Sequence, residues 1–111
     1  MKLPGGDEAI VDIRKLHDYC LNPDHPEGKH KARVFASALS LSQADAEELQ
    51  VALYAAARND EATESGETPY GKRYTLDFLL TRQSRTAKIR SGWLIRNDED
   101  FPRLTSCYVD D

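Results

Sequence analysis

An α+β fold, with N-terminal helices packed on one face of a C-terminal antiparallel sheet of three to four strands, is the class this sequence predicts. Apolar residues recur at helical spacing to about residue 58 and then alternate with polar ones from about residue 72. An acidic stretch punctuated by Gly66, Pro69 and Gly71 separates the two regimes. A chain of 111 residues suits one core of two layers. Residues 9–111 are therefore expected to be a single domain, with helices within 13–58 and the sheet within 72–109.

The first eight residues, rich in Pro, Gly and charge, read as a disordered arm. Ala9, Ile10 and Val11 are enough for a short edge strand at most. Asp12 is placed to cap a helix starting at Ile13, with Ile13, Leu16 and Cys20 inward, and Asn22-Pro23 stops it because a residue before proline avoids the α region. A loop over 24–28 leads to a second helix over 28–39. Ser42 is a fair N-cap for a third, in which Asp45, Glu47 and Glu48 favour the positive end of the helix dipole. Ala46, Leu49, Leu53 and Ala56 form its inward stripe to about Asn59.

The stretch 60–71 reads as an exposed connection. Tyr74, Leu76, Phe78 and Leu80, then Ala87, Ile89, Ser91, Trp93 and Ile95, alternate with polar residues as two half-buried strands joined by a short loop over 82–86. A turn at 98–102 leads to a last strand over 103–109. For that strand two inward sets stay open: Arg103, Thr105, Cys107 and Val109, or Leu104, Ser106 and Tyr108.

Composition narrows function by exclusion. No apolar run approaches the roughly 18 residues of a membrane span, and residues 1–8 lack the apolar segment of a secretory signal. A cytoplasmic protein, or the terminal piece of a larger one exported by other means, is expected. Cys20 and Cys107 are far apart, without metal-ligand spacing, and read as two free buried thiols. No metal and no cofactor is expected, since Gly-rich phosphate loops, G-x-S-x-G and H-E-x-x-H are all absent. The formal charge of −4 opposes general nucleic-acid binding, which rests on counterion release. A local basic stripe nevertheless runs from Arg82 to Arg96 without an acid.

The segment from His25 to Phe35 carries His25, Lys29, His30, Lys31 and Arg33 as a loop becomes a helix. At about 100° per residue, Ala32, Val34, Phe35, Ala38 and Leu39 share one arc, and Lys31 falls inside it while Lys29, His30 and Arg33 point away. An ammonium on the buried side must snorkel past the core edge or serve a site. Lys88 and Arg90 fall on the sheet face opposite the helices. A proton-transferring His or Lys, an Arg fork and hydroxyls suit RNA cleavage by the RNA's own 2′-hydroxyl, a reaction that needs no metal.

Leu21-Asn22-Pro23, His25-Pro26-x-Gly28-Lys29-x-Lys31-Ala32-x-x-Phe35, Tyr70-Gly71, Trp93-Leu94-Ile95 and Pro102-Arg103-Leu104-Thr105-x-x-Tyr108 resemble an uncharacterised bacterial family, number 6883 among the domains of unknown function. Its pattern is in turn similar to the small ribonuclease toxins of the barnase, EndoU, colicin and RelE (BECR) type. The resemblance implies helices before an antiparallel sheet, with His25, Lys29 and Lys31 as an early basic set and Arg103, Thr105 and Tyr108 as a late set.

The expectation is a metal-independent endoribonuclease toxin domain. His25, Lys31, Arg103, Thr105 and Tyr108 are its catalytic candidates, and Lys29, His30, Arg33, Lys88 and Arg90 its phosphate contacts. Its partners would be RNA, such as tRNA or another structured RNA, and a cognate immunity or antitoxin protein. The alternative is a non-catalytic immunity or antitoxin-type binding module, whose acidic 60–71 stretch mimics or repels nucleic acid. The ribonuclease expectation turns on Lys31 and Arg103 meeting in one cleft.

Overall fold

A computed structural model describes residues 1–110; Asp111, the last residue of the expected domain, lies outside them. Helices and sheet form the two expected layers. Asp12 Oδ1 accepts from the Arg14 N–H at 3.0 Å and starts α1, Ile13–Lys15. This helix widens at once into a π-helical turn, Leu16–Cys20, which buries Leu16 and Cys20. Helix α2, Lys29–Leu39, buries Ala32, Phe35 and Leu39 and ends on Ser40 at φ 56°. A capping box between Ser42 and Asp45 opens a 3₁₀ turn that runs into α3, Ala46–Asn59.

The sheet is antiparallel in the order β1 (Thr63–Thr68), β2 (Gly71–Arg82), β3 (Arg85–Arg96), β4 (Arg103–Val109). Tyr74, Leu76 and Phe78 of β2 and Ile89, Ser91 and Trp93 of β3 face the helices. Ser91, fully buried, accepts from Trp93 Nε1 at 2.9 Å and donates to the Leu76 carbonyl at 2.7 Å, so the polar atoms in this part of the core are paired. β2 and β3 turn through Gln83 and Ser84, both at positive φ (51° and 68°), the geometry of a two-residue I′ hairpin.

Four expectations are corrected. Residues 1–8 are not a free arm. Leu3 is buried at 4% exposure, Lys2 bridges Glu61, and Gly6 packs so tightly on α3 that a Cβ there would meet the Ala57 carbonyl. One apolar side chain and backbone pairing hold a segment that its composition marks as loose. The stretch 60–71 contains β1, an edge strand. Its residues are almost all exposed, so pairing with β2 forms it without any apolar alternation for the sequence to show.

The third correction is β4, which takes neither inward set. Gly92 pairs with Ser106 and Trp93 with Leu104, leaving Thr105 as the extra residue of a β-bulge. The bulge switches the parity of the strand. Leu104, Cys107 and Val109 are buried, while Arg103 and Tyr108 are less covered. The proposed strand at Ala9–Val11 reduces to one parallel bridge from Ile10 to Arg103, with the Ile10 N–H donating to Pro102 O and the Leu104 N–H to Ile10 O.

Candidate functional site

Lys31 leaves the inward arc of α2 at the β4 edge of the sheet, and its ammonium settles between two tyrosine rings. Nζ lies 5.3 Å from the centre of the Tyr19 ring and 5.3 Å from that of Tyr108. Its stem lies along the core edge while its charge reaches the surface, as a snorkelling lysine requires. Among the described residues Lys31 makes no ion pair, and the two aromatic faces are its nearest described partners for charge. It opens onto a cleft of about 520 Å³ lined also by Asp12, Arg14, Lys15, Asp18, Thr105 and Ser106. The hydroxyls of Thr105 and Ser106 sit there because the β4 bulge places two consecutive residues opposite one.

The rim is mixed in charge. Arg14 grips Asp12 at 2.9 Å and holds its carboxyl below the usual range. Asp18 pairs with His17 Nδ1 at 2.7 Å. Beneath the cleft, burial pushes the Cys107 thiol well up and the Cys20 thiol up, with nearby Lys31 opposing the burial in both, so the expected buried thiols stay protonated at neutral pH. Among the described residues no three His, Cys, Asp or Glu side chains converge as metal ligands.

Of the predicted catalytic set, Lys31 and Thr105 line this cleft and Tyr108 flanks the ammonium. His25 and Arg103 are engaged elsewhere. Nδ1 of His25 accepts from the N–H groups of Glu27 (3.0 Å) and Gly28 (2.9 Å), which leaves the ring proton on Nε2. An imidazole held this way has no free lone pair for a general base. It closes the loop before α2, and its ring meets that of Tyr19 edge-on at 4.7 Å. Arg103 gives both arms of its fork to Glu99, at 2.9 and 2.8 Å, lies over Phe101, and does not line the cleft, so the expected meeting of Lys31 and Arg103 in one cleft is not found.

The predicted phosphate contacts are dispersed. His30 and Arg33 are exposed on α2, Arg33 beside a separate hollow near Leu21 and Pro23, and Lys29 is half-buried. Lys88 pairs with Asp110 at 3.0 Å, and Arg90 binds Asp77 through two bonds of 2.9 Å and Asp110 at 3.2 Å. Asp77 first, then the Tyr108 hydroxyl and Asp110, raise the Arg90 pKa above its ordinary value.

The family model described as a domain of unknown function (DUF6883) matches residues 2–111. This chain belongs to the DUF6883 family. No curated protein and no solved structure matches it. In this DUF6883 chain the motif glycine, Gly28, lets the loop pass under the π turn, where a Cβ would stand 2.3 Å from the Tyr19 carbonyl oxygen. The sequence reading missed Tyr19, Asp18, Lys15 and Ser106, all of which line the cleft. Tyr19 carried a usable signal, an aromatic beside the buried Cys20, whereas Ser106 reaches the cleft only through the bulge. No helix among the described residues is long and apolar enough to cross a membrane.

Proposed function

We propose that this domain is a metal-independent endoribonuclease that cleaves RNA by transesterification at the 2′-hydroxyl. The observation that carries the reading is Lys31, an ammonium that makes no ion pair among the described residues, standing between two aromatic rings over a cleft with two adjacent hydroxyls. The 2′ oxygen attacks phosphorus, the bond from phosphorus to the 5′ oxygen breaks, and the products carry a 2′,3′-cyclic phosphate and a 5′-hydroxyl. Lys31 neutralises charge on the phosphorane and hands a proton to the departing 5′ oxygen. Thr105 and Ser106 donate hydrogen bonds to the non-bridging oxygens, and Asp18 on the rim takes the 2′ proton. Tyr19 and Tyr108 offer faces on which a base stacks. The reading rests on Lys31 and the two hydroxyls at the bulge and does without the Arg103 fork expected beside Lys31, which Glu99 holds outside the cleft; His25 and Arg103 act as positioning residues, for the loop before α2 and for the start of β4.

The resemblance to BECR toxins extends this to a toxin acting on cytoplasmic RNA and neutralised by a cognate immunity or antitoxin protein that covers the cleft. Purified chain is incubated with total RNA and tRNA in EDTA. Wild type should yield cyclic-phosphate ends, and Lys31→Ala should lose them while keeping its circular dichroism and unfolding midpoint. Expression should arrest bacterial growth in the same Lys31-dependent way. A specific observation favours the binding-module reading as the alternative: Arg82, Lys88, Arg90 and Arg103 are all matched by carboxylates, which limits free cationic surface. Folded wild type that leaves every RNA intact and cells unharmed decides for that module.

A further inference from the structure

The sheet face away from the helices holds a second hollow that shares a wall with the Lys31 cleft. It encloses about 320 Å³, and Ser65, Arg73, Thr75 and Gly92 line it together with Thr105 and Ser106. Its floor follows from the strand register, in which Thr63, Thr75, Gly92 and Ser106 lie side by side across the four strands. Three features open it in a face that would otherwise be level. The β1 register slips at Ser65, with Gly66 at φ 139°, and the β4 register slips at Thr105, so a bulge flanks the row on each edge strand. Between them Gly92 has no side chain; a Cβ there would stand 2.8 Å from Ser106 Oγ and 3.1 Å from Thr105 Oγ1 and push both hydroxyls aside.

Charge distinguishes this hollow from the rest of the face. Arg90 and Arg103, which neighbour the same row, are each held by carboxylates. Arg73 is exposed and makes no ion pair among the described residues, so its fork is available to an anion. Hydroxyl rotors beside it turn to donate to phosphate oxygens. With strands about 4.8 Å apart, β2 stands roughly 10 Å from β4, a separation that one or two nucleotides of single strand bridge.

We infer that a single-stranded RNA lying in the Lys31 cleft continues across the β4 bulge and seats a neighbouring phosphate in the Gly92 hollow, paired with Arg73. The inference rests on the reading of the Lys31 cleft as the RNA site. Thr105 and Ser106, shared by both walls, then set the path between the two phosphates.

The test uses 2′-fluoro RNA, which has no nucleophile, as a labelled dinucleotide and pentamer followed by fluorescence anisotropy over a salt series. Arg73→Ala should bind the pentamer about tenfold more weakly, with a log–log salt slope shallower by about 0.7, and bind the dinucleotide as wild type does. Arg73→Lys should restore the slope but only part of the affinity, since a point charge lacks the fork. Pentamer binding by Arg73→Ala equal to wild type overturns this inference alone and leaves the cleft reading standing. Arg73-dependent pentamer binding without cleavage of ordinary RNA supports the inference while the catalytic reading falls. A wild-type protein that does not bind the pentamer overturns both.

Discussion

The ammonium of Lys31 stands 5.3 Å from the centre of the Tyr108 ring, so the second helix and the last strand are joined by a cation and an aromatic face rather than by an ion pair. At a partly exposed site such a contact contributes about 0.5–1 kcal/mol. A double-mutant cycle with Lys31→Met and Tyr108→Leu, read by urea unfolding, should give a favourable coupling of about 0.5 kcal/mol. Zero coupling between two folded single variants means that the ring and the ammonium do not meet in solution.

Acid should weaken this fold through its Arg–carboxylate forks. Arg90, hydrogen-bonded to both oxygens of Asp77, holds that carboxyl below its usual value, and Arg103 does the same to Glu99. Because both folded-state values are depressed, the unfolded chain takes up these protons first as pH falls. Stability contributed by the forks is therefore complete above about pH 5 and lost as pH falls through about 4 and below. Urea midpoints at pH 7, 4.5 and 3 should decline in that order, and Asp77→Asn should be less stable at pH 7 with a flatter decline. An Asp77→Asn variant with an unchanged pH profile removes Asp77 from the account.

The turn between β2 and β3 should be open to improvement. Gln83 and Ser84 occupy left-handed backbone at φ 51° and 68°, where a side chain costs about 1–2 kcal/mol at each residue. Replacing the pair with Asn-Gly, the preferred I′ sequence, should raise stability by about 1 kcal/mol without altering the cleft. A lowered thermal midpoint for that variant argues against the I′ geometry.

Half of the site was legible before folding because it follows from helix geometry. Lys31 lies on the inward arc of α2 by angle alone, and an inward ammonium must exit at the core edge or find a site. Arg103 was not legible. Glu99 lies four residues before it and captures its fork, and that pairing depends on how the 97–102 turn folds back on β4. His25 was recognisable as chemically apt, but its Nδ1 is taken by the two N–H groups that precede α2.

Local periodicity by itself determined the order of helices and strands, the caps at Asp12 and Ser42 and most of the core, since each depends on neighbours within a few residues. Tertiary packing alone decided the rest. Pairing with β2 made a strand of the fully polar 63–68 segment, and burial of Leu3 tied down the N-terminus. A single extra residue at Thr105 reversed which side of β4 faces the helices. The physical reason is that a bulge or an edge pairing is settled by hydrogen bonds to a distant strand, and such bonds leave no period in the chain that makes them.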